Sequence, residues 1–391
     1  MQVSDKVPDI INEIYRSAEA DGFAGYDPFD GLNSKVFDFF PSMKKGFFGL
    51  AWIQLHKRSI INFRPVLGVP KKRNPKGIGL FILGLLEEYK VEAKQETLNT
   101  AIELADWLLQ QQCDKTKWEH SCWGYHFDWN ARAFYVPKGK PNIITTIYVS
   151  QALLALGKTL DNQDYIDAAL DSGHFITKSL YTKNQDFEFF AYIPGEEAFV
   201  HNASLWGAAW LAVVASETNN NEFRELAIKV ANQSVSAQKN DGSWVYGTRH
   251  HHQFIDGFHT GYNLEALHTI KTALKIDDFD KSIKLGLEYY RKELFEDSGL
   301  AKYYNTNKYP LDMHCVSQAI FTFLKVGGTR EDVEFIDKVI DASISELFDK
   351  GRKSFSYQKT AKFDNKINYI RWTQAWVYYS FAFYNTYRIK T

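Results

Sequence analysis

The stretch HNASLWGAAWLAVVAS (201–216), followed by FRELAIKVANQSVSAQ (223–238), decides how this sequence folds. The first stretch is apolar and aromatic on most faces, whereas the second has charges on one side and apolar residues on the other. Both follow the 3.6-residue period of a helix rather than the alternation of a strand. The pair therefore predicts a buried helix that packs against an amphipathic one.

This pair recurs along the chain at a nearly constant interval. An earlier pair occupies 77–90 and 97–112, ahead of a loop insertion at 113–142, and a helix at 7–20 supplies a sixth partner of the amphipathic type. Steps of 57, 57, 55 and 58 residues separate the later apolar helices. These helices begin near Thr145, Asn202, His259, His314 and Trp372. A repeat near 57 residues indicates stacked helical units.

The repeat predicts a closed ring of helices. Six apolar helices form an inner ring and six amphipathic ones an outer ring, which is an all-α fold, an (α/α)6 toroid or six-hairpin barrel, in one domain over 1–391. An open solenoid is the alternative, but its repeats are usually about 34–47 residues long. The excess length falls in loops after the outer helices, where aromatic stretches predict short β-like segments. These are SWVYG (243–247), AKYYN (301–305) and SFSYQ (354–358).

Composition and charge argue against several classes of protein. The 391-residue chain has 47 acidic and 46 basic side chains, and this net charge of -1 argues against an electrostatic nucleic-acid binder. Its three cysteines, Cys113, Cys122 and Cys315, form neither a CxxC pair nor a closed disulfide framework. The sequence has no apolar stretch of about 18 residues to predict a membrane span, and its start does not resemble a secretory signal. We therefore expect a cytoplasmic protein.

Polar and aromatic side chains gather at the predicted starts of the inner helices. In a toroid the loops that lead into the inner helices emerge at one end of the ring, so these side chains converge on one funnel. Most aromatic residues, 16% of the chain, fill the wide core, but a subset lies in the funnel and suits a carbohydrate site because flat rings stack on sugars. The candidate substrate-binding residues are Trp123, His126, Asp128, Trp129, Asn202, Arg249, Tyr309, Arg371 and Trp372.

Several of these residues also have a structural explanation. Thr145, Asn202 and Asp256 each stand where the N-cap of a helix is expected. The run of histidines at 250–252 fits a solvated loop as well as a site. Two ion pairs would account for other members of the set: Asp128 with Arg132, and Asp312 with Arg371.

Two kinds of sugar chemistry suit the funnel. Hydrolysis needs two carboxyl groups that face the scissile bond. Its candidates are Asp128, Asp256 and Asp312, with Glu196 or Glu197 as further ones. Removal of the proton α to a uronate carboxylate, as in a lyase or an epimerase, needs a base, an acid and a group that neutralises the carboxylate.

The excess of histidine over convergent glutamate favours the second route. Eight of the 11 histidines lie in or beside the loops that lead into the inner helices. The candidates for this chemistry are His201, His259 or His314 as base, Tyr262 or Tyr309 as acid, and Asn202 with Arg249 as the neutralising pair.

A zinc ion is a weaker alternative. His259, Asp312, His314 and Cys315 lie at the predicted starts of neighbouring inner helices, and such a set can hold zinc. The sequence lacks the CxxC and HExxH spacings of common zinc sites. Cys315 also fits an ordinary core position. We therefore predict no cofactor, with zinc as the lesser option.

The segment 21–76 has a different character from the repeats. It carries Pro, Gly and Asn at short intervals, which predicts an irregular loop that packs on or near the site. Almost no acidic residue follows Asp38, whereas basic residues are frequent. Arg58 and Arg64 are candidates to bind an anionic glycan or a phosphate. A solvated or partner-facing strip is equally consistent with this charge.

Short motifs resemble those of known toroid proteins. QKNDGSW (238–244) is similar to an element that recurs in triterpene cyclases and protein prenyltransferases, which supports the fold. The whole chain resembles a group of bacterial α/α-toroid proteins associated with capsule and exopolysaccharide biosynthesis, and six-hairpin glycosidases and toroid polysaccharide lyases are analogues of the fold. The resemblance lies in GYDPFDGLNS (25–34), KRSIINFRPVLG (57–68), NPKG (74–77), DGFHTGYNLEAL (256–267), YPLDMHCVSQAI (309–320) and RWTQAW (371–376).

The resemblance implies work on polysaccharides without naming a reaction. We expect a carbohydrate-active enzyme of bacterial surface-polysaccharide metabolism that acts on an acidic glycan or glycan precursor by lyase, epimerase or hydrolase chemistry. Its ligand would be an oligo- or polysaccharide or a sugar-phosphate precursor, and polysaccharide assembly proteins are candidate partners. A non-catalytic glycan-binding or scaffold protein is one alternative. A terpenoid or prenyl-type enzyme is another, although the DxDD acid of triterpene cyclases is absent.

Overall fold

Helices dominate the computed structural model of the chain, which describes residues 3–130 and 135–390. In these ranges the α-helices are α1 (Val3–Ala20), α2 (Val36–Phe39), α3 (Gly46–Arg58), α4 (Pro75–Val91), α5 (Gln95–Gln110), α6 (Lys115–Trp118), α7 (Ile143–Leu160), α8 (Gln163–Phe175), α9 (His201–Thr218), α10 (Asn221–Ser236), α11 (Gly257–Leu274), α12 (Asp280–Glu293), α13 (Met313–Phe321), α14 (Arg330–Leu347) and α15 (Ala375–Lys390).

Six of these helices form an inner ring. Each one packs against the next in the order α4, α7, α9, α11, α13 and α15, and α15 returns to pack against α4. The contact between the last helix and the first closes the ring, which an open solenoid does not do. The predicted (α/α)6 toroid is therefore confirmed.

The outer ring consists of the amphipathic partners. The helices α5, α8, α10, α12 and α14 pack against α4, α7, α9, α11 and α13 respectively. The sixth partner is α1, which packs against α15 and α14 although it lies at the other end of the sequence. The helix predicted at 7–20 thus completes the last hairpin, as the repeat required.

Short polar sequences make the turns between inner and outer helices. Asp161 follows α7 and Asn219 follows α9, and both adopt the left-handed conformation, with φ of 54° and 53°. In each case the next residue, Asn162 or Asn220, caps the outer helix by accepting a backbone N–H of its first turn. Asp and Asn tolerate the left-handed conformation, and Asn is a good N-cap, so two residues are enough to reverse the chain.

Three short segments have π-helical rather than α-helical geometry. They are Ile176–Leu180, which continues α8, Thr322–Gly327, which continues α13, and Ile370–Gln374, which precedes α15. The sequence predicted plain α-helix at the first two. Such turns are frequent at functional sites, and the third one carries the predicted site residues Arg371 and Trp372.

The strands are short and lie in the loops, as predicted. Those described are β1 (Trp129–Asn130), β2 (Tyr135–Val136), β3 (Tyr181–Lys183), β4 (Glu188–Phe190), β5 (Leu311–Asp312), β6 (Phe348–Asp349), β7 (Ser354–Phe355), β8 (Gln358–Lys359) and β9 (Asp364–Asn365). They pair antiparallel as β1–β2, β3–β4, β6–β7 and β5–β8–β9.

The three predicted β-like stretches have different outcomes. The stretch 354–358 contains β7 and the start of β8, whereas 243–247 and 301–305 take part only in isolated bridges within the described chain. In the latter two, Trp244 and Tyr303 are buried in the main core. Their aromatic content therefore reflects packing under the loops rather than strand pairing.

The N-terminal segment 21–76 contains a helix that the sequence analysis treated as irregular chain. α3 is 13 residues long, and only Gly49 interrupts its interior as a helix breaker. Leu32, Phe37 and Ile53 form a small core of their own beneath it. The Pro and Gly residues on either side of α3 are what made the whole segment look like a loop.

One helix is long and apolar enough to cross a membrane by length and composition alone. This helix, α7, has a mean hydropathy of 1.4 over its 18 residues, and 72% of that window is buried inside the protein. It packs between α4 and α9 in the inner ring. Burial within the ring accounts for its composition.

The closure of the ring can be tested at Gly84 on α4. A Cβ atom added there would lie 2.6 Å from the ring atoms Cδ1 and Cε1 of Tyr378, a fully buried side chain on α15. Because this contact closes the ring, we expect Gly84→Ala to lower the free energy of unfolding by about 1–3 kcal/mol, despite the better helix propensity of alanine. Chemical denaturation followed by circular dichroism measures the loss.

Gly351→Ala is the matched control for this variant. A Cβ atom at Gly351 would come no closer than 3.4 Å to a neighbour, an oxygen of Asp349. Its free energy of unfolding should change by less than about 0.5 kcal/mol. Equal losses in the two variants would contradict the importance of the α4–α15 contact.

Candidate functional site

A cavity of about 330 Å³ opens where the inner helices begin. Every inner helix contributes to its wall, either from its first two turns or from the turn before it, as the sequence predicted. The residues involved are Lys76 from α4, Ile144 from α7, Asn202 from α9, Asp256, Phe258, His259 and Tyr262 around the start of α11, His314 from α13, and Arg371 and Trp372 before α15.

Aromatic rings make up most of the remaining wall. They are Phe29, Tyr125, Phe127, Trp129, Tyr192, Tyr246, Phe254, Tyr303 and Tyr304. Stacked pairs hold several of them, since the ring centroids of Tyr125 and Phe127 lie 5.0 Å apart and those of Tyr246 and Phe254 also lie 5.0 Å apart. Rigid apolar faces of this kind stack well on the flat faces of sugar rings.

His259, in the first turn of α11, is the leading candidate for acid–base chemistry. Its Nδ1 lies 2.7 Å from Oδ2 of Asp256, whose Oδ1 caps the helix by accepting the backbone N–H of His259 at 2.8 Å. An ionised carboxylate can only accept, so Nδ1 is the donor, and in the neutral form of the ring the lone pair is on Nε2. The side chain of His259 is 19% exposed and lines the cavity. It is an oriented imidazole with one nitrogen available as a base.

A second pair able to carry a proton lies beside it. The hydroxyl of Tyr262, one turn further along α11, lies 2.6 Å from Nε2 of His314. Burial raises the pKa of Tyr262 well above its usual value. Burial, together with Lys76 and Arg371, holds the pKa of His314 well below its usual value. Both side chains are therefore neutral, and the hydroxyl of Tyr262 and Nε2 of His314 share one hydrogen bond.

The two histidines flank the same tyrosine. The ring centroid of Tyr262 lies 6.1 Å from that of His259 and 5.8 Å from that of His314. A ligand above this tyrosine is within reach of the free nitrogen of one histidine and of the Tyr262 hydroxyl. The arrangement brings a base and an acid to one end of the cavity.

Besides its histidines and tyrosines, the described wall carries three basic side chains and one carboxylate. They are Lys57, Lys76, Arg371 and Asp256. The Nζ of Lys76 lies 4.7 and 4.9 Å from the ring centroids of Tyr148 and Trp376. Burial lowers the pKa of Lys76 well below its usual value, and Arg371 lowers it further. A bound anion would raise the pKa of Lys76 again, so the excess of basic side chains over carboxylates favours an anionic ligand.

Buried ion pairs fix Arg371 in the wall. Its Nε and Nη2 lie 2.5 and 2.9 Å from the two carboxylate oxygens of Asp27. Burial acts to lower the pKa of Arg371, but Asp27, together with Tyr125 and Tyr192, raises it overall. A parallel pair joins Nε of Arg64 to Asp30 at 2.5 Å, and Arg64 also donates to the hydroxyl of Tyr369 at 2.8 Å. The two pairs fasten the N-terminal segment to the turn before α15.

Eight of the predicted site residues come together in the wall of the cavity. They are Trp129, Asn202, Asp256, His259, Tyr262, His314, Arg371 and Trp372. Of the three suggested N-caps, only Asp256 is one, because Asn202 lies inside the first turn of α9 and Asn142 rather than Thr145 caps α7.

Two predicted catalytic residues lie outside this wall. His201 is buried with its Nδ1 3.0 Å from Oγ of Ser234 on the outer helix α10. Asp312 caps α13 through one oxygen, and its other oxygen accepts hydrogen bonds from Gln358 and Trp372. Burial raises the pKa of Asp312 to about 6. The protein itself uses the polar atoms of both side chains, so their place here is structural.

Trp123 and His126 support the insertion at 113–142 rather than the cavity. Trp123 is fully buried in the core, and its Nε1 donates to the carbonyl of Leu108. The Nδ1 of His126 lies 3.1 Å from Nδ2 of Asn74, the N-cap of α4. Burial lowers the pKa of His126 to about 4.

Two further candidates are occupied by ion pairs with their own neighbours. Asp128 pairs with Lys44 at 2.8 Å, and Arg249 pairs with Glu196 at 2.6 Å. The suggested partner of Asp128, Arg132, lies outside the described residues. Because both pairs lie away from the wall, neither side chain is in contact with the cavity.

The remaining predicted binding residues also lie outside the wall. Arg58 is exposed at the end of α3, and Arg64 is fully buried in its ion pair. Tyr309 is half-buried in the loop before α13. The suggested pair between Asp312 and Arg371 does not form, because the guanidinium of Arg371 is paired with the carboxylate of Asp27 instead.

The four candidate zinc ligands do not face one point. His259 and His314 each have a ring nitrogen engaged with another side chain of the protein. Cys315 is buried in the core, and Asp312 faces the sheet that contains β8. In the parts of the chain that are described, no group of three or more His, Cys, Asp or Glu is placed to hold a metal ion.

Many residues of the cavity wall share one position in their helices, which sequence reasoning missed. In five inner helices the second helical residue lines the cavity, and these residues are Lys76, Ile144, Asn202, Phe258 and His314. Lys76 lies in the motif NPKG, but sequence reasoning treated it only as part of the basic segment 21–76. Tyr303 and Tyr304 had no such signal, because they enter from a loop whose path the sequence does not determine.

The fold is similar to that of solved carbohydrate-active enzymes. Cellobiose 2-epimerase from Bacillus thermoamylovorans B4167 superposes with a TM-score of 0.63 at 12% identity, over 80% of this chain and 87% of the other. An unsaturated glucuronyl hydrolase specific for heparin gives 0.66 at 11%, over 99% and 97%. A polysaccharide lyase gives 0.60 at 10%, also over 99% and 97%.

This likeness concerns the fold alone, that of six-hairpin α/α-toroid glycosidases, epimerases and lyases. Comparison of the sequence matches neither a family model nor a curated protein. The solved neighbours named above are all enzymes that act on saccharides, to judge from their names. The chain therefore shares the α/α-toroid architecture of these proteins.

The pair between Asp27 and Arg371 should matter far more for stability than an exposed pair. Asp27→Ala leaves a buried guanidinium without its carboxylate, and we expect the free energy of unfolding to fall by about 3–5 kcal/mol. The control is Asp21→Ala, which removes an exposed pair with Lys71 at 2.9 Å, and it should cost about 0–1 kcal/mol. Urea unfolding measures both. Similar losses would contradict the anchoring role of Asp27.

His201 should make stability depend on pH. Burial lowers its pKa from 6.5 to about 4, so the ring stays neutral in the folded protein while the unfolded chain takes up a proton. Above pH 6.5 the ring is neutral in both states, and the stability of the folded protein is not reduced. As the pH falls from 6.5 toward 4, only the unfolded chain takes up the proton, so the free energy of unfolding falls by about 3 kcal/mol at 1.36 kcal/mol per pKa unit.

The variant His201→Phe removes this titration. Relative to the wild type, its free energy of unfolding should therefore rise by about 3 kcal/mol between pH 7 and pH 4. Urea unfolding at a series of pH values measures the difference. Parallel curves for the two proteins would show that His201 is not held neutral by the fold.

Proposed function

We propose that this protein is an enzyme of the epimerase or lyase type that removes the proton α to a carbonyl or carboxylate of an acidic saccharide. The observation that supports it best is the setting of His259. Asp256 holds its Nδ1, the ring lines an aromatic cavity, and three basic side chains lie in the same wall. This combination is what proton abstraction next to an anionic group requires.

His259 is the base in this proposal. Its Nε2 accepts the α-proton, and Asp256 stabilises the imidazolium that forms while keeping the ring in position. The neutral His314 does not compete for this task, because its Nε2 is already engaged in a hydrogen bond with the hydroxyl of Tyr262. The two histidines therefore have different roles although both lie at the start of an inner helix.

Tyr262 is the acid. In an epimerisation it delivers a proton to the carbon from which His259 has removed one, on the opposite face, and in an elimination it protonates the departing oxygen. The Nζ of Lys76 lies 6.0 Å from the centroid of the Tyr262 ring. The bound substrate anion favours the protonated form of Lys76, and its ammonium group then stabilises the phenolate that remains until the proton is restored.

The cations bind the substrate and its developing charge. Removal of an α-proton leaves negative charge on the neighbouring carbonyl or carboxylate oxygen, and a cation in a site poor in water stabilises that charge strongly. Lys57 and Lys76 have no carboxylate within ion-pairing distance among the described residues, whereas Arg371 is paired with Asp27. We therefore assign the two lysines to the substrate anion and Arg371 to the shape of the wall.

Hydrolysis has less support from this geometry. It needs two carboxyl groups about 5–9.5 Å apart that face the scissile bond. Among the described residues of the wall only Asp256 carries a carboxylate, while Asp128 and Asp312 are bound elsewhere. A hydrocarbon substrate of the terpenoid kind is also disfavoured, since it has no polar group to pair with the basic and acidic side chains of the wall.

The biological setting belongs to the same proposal. The motif resemblance supports a role in bacterial surface-polysaccharide metabolism, in the cytoplasm, on an acidic glycan or a sugar-phosphate precursor, with polysaccharide assembly proteins as partners. Solved structures of the same fold carry the names cellobiose 2-epimerase and polysaccharide lyase. Removal of an α-proton is a common first step for both outcomes, and the choice depends on whether a leaving group is present.

Exchange of the α-proton with solvent tests this function. The protein is incubated in D₂O with uronate-containing oligosaccharides and reducing disaccharides, and proton NMR follows the loss of the α-proton signal. Near-ultraviolet absorbance detects unsaturated uronates if elimination occurs. We expect exchange with an acidic saccharide, and a rate that falls by about 10²–10⁴-fold in His259→Ala.

Two further variants make the test specific. Asp256→Asn keeps an oxygen to cap α11 but no longer fixes the tautomer of His259, so the rate should fall while stability changes little. His251→Ala changes an exposed histidine outside the wall and should leave the rate intact. Saccharide binding without exchange or elimination would identify a glycan-binding protein instead, and hydrolysis without exchange would refute the proposal.

A further inference from the structure

Exposed apolar side chains are concentrated in one part of the described chain. Of the twelve large hydrophobic residues that are exposed, nine lie within 39–66. We call these nine the apolar face, and they are Phe39, Phe40, Phe47, Phe48, Leu55, Ile60, Ile61, Phe63 and Val66. Phe39, Phe47 and Val66 are 80–89% exposed. Scattered exposed residues are normal for a soluble protein, but a concentration of this kind marks an interaction surface.

The helix α3 shows that this exposure is not a failure to pack. Gly49, Ile53 and His56 point inward at helical spacing and are buried, so α3 is anchored to the protein. Phe47 and Leu55 lie on the other side of the same helix and are exposed. A surface helix normally has a polar outer face, and α3 is apolar on both.

A neighbouring hairpin extends the apolar face. Phe363, in the loop between β8 and β9, is also exposed. Nδ2 of Asn365 donates to the carbonyl of Ser59 at 3.0 Å, which fastens the hairpin to the end of α3. The exposed residues therefore belong to two parts of the chain that contact each other.

Basic residues predominate in the sequence that carries the apolar face, although Asp38, next to Phe39, is an exposed acid. The stretch 39–86 contains nine basic residues and no acidic residue, but Arg64 and Lys76 are buried, and Lys44, Lys71 and Arg73 are paired with carboxylates. Lys45 and Arg58, next to exposed phenylalanine and isoleucine residues, are themselves exposed. Exposed Phe and Ile with interspersed Lys and Arg are typical of protein surfaces that lie in the interface of an anionic membrane.

We propose that the apolar face docks onto a membrane surface that contains anionic lipids. The phenylalanine side chains enter the boundary between headgroups and acyl chains, and the basic residues attract the lipid phosphates. A second copy of this chain is a poorer occupant, because a twofold contact would bring two basic surfaces together. This inference does not rest on the proposed chemistry, since none of the nine residues of the apolar face lines the cavity.

Docking would bring the cavity close to the lipid headgroups. Lys57 belongs to α3 and lines the cavity, with its Nζ 4.9 Å from the ring centroid of Phe29. The residues on either side of it in the sequence, His56 and Arg58, are respectively buried and exposed. The same helix thus forms part of the wall on one side and part of the apolar face on the other.

Vesicle flotation tests the docking. The full chain is mixed with vesicles of phosphatidylcholine alone or of phosphatidylcholine with about 30% phosphatidylglycerol, a composition that gives a negative surface. We expect binding to the anionic vesicles, and weaker binding at high salt because the attraction of the basic residues is screened. The double variant Phe47→Ser with Phe48→Ser should reduce the bound fraction roughly tenfold.

The control removes two exposed apolar residues elsewhere. Val91→Ser with Ile389→Ser changes residues of α4 and α15 outside the apolar face and should leave the bound fraction unchanged. Circular dichroism confirms that both double variants fold. Proton exchange on a soluble saccharide should be the same in the Phe47→Ser and Phe48→Ser variant as in the wild type, so failure of docking and failure of the proposed chemistry are distinguishable.

Three results would overturn the proposal. The first is that the wild type fails to float with anionic vesicles, and the second is that both double variants lose binding equally. The third is an oligomer, detected by light scattering, that the double variant Phe47→Ser with Phe48→Ser dissociates, in the absence of any vesicle binding. The last result would assign the apolar face to a protein contact.

Discussion

The buried ion pair between Asp27 and Arg371 is the interaction on which the site depends. A charge removed from water costs several kcal/mol unless a partner compensates it, so a buried carboxylate and guanidinium tolerate only the arrangement in which they meet. This requirement holds the N-terminal segment across the ring, where Phe29 packs against Trp372 with ring centroids 5.4 Å apart. Without that segment the helices would still form a ring, but the cavity would lack Lys57 and Phe29. The ring of helices determines where the site lies, and the ion pair holds the N-terminal residues of its wall in place.

The inner helices explain why the site lies where it does. Each begins at the same end of the ring, and each leaves unpaired backbone N–H groups that a side chain must satisfy. Asp256 and Asp312 both accept such a backbone N–H, yet of the two only Asp256 lines the cavity. The second oxygen of Asp256 meets His259, whereas that of Asp312 meets Gln358 and Trp372. Whether a capping carboxylate also has a chemical role thus depends on what its other oxygen faces.

This distinction marks the limit of what the sequence could predict. The ring, its six hairpins and the convergence of inner-helix starts all followed from periodicity, because apolar helices that recur near 57 residues have few other ways to bury their faces. The direction of individual side chains did not follow. His201 is the first residue of α9 and contacts α10, while Asn202, one position later and about 100° further around the helix, lines the cavity. Helix bounds read from a sequence are uncertain by more than that one residue.

The electrostatics of the cavity have two sources that act in the same direction. The N-terminal ends of the inner helices carry partial positive charge, and six of them point at one end of the ring. The stretch 39–86, free of acidic residues, adds Lys57 and Lys76 to the same wall. Burial is the main reason why the pKa of His314 is low, and Lys76 and Arg371 lower it further. Asp256 is the carboxylate of the described wall that opposes this positive potential, and its Oδ2 lies 2.7 Å from Nδ1 of His259, the histidine that we assign as the base.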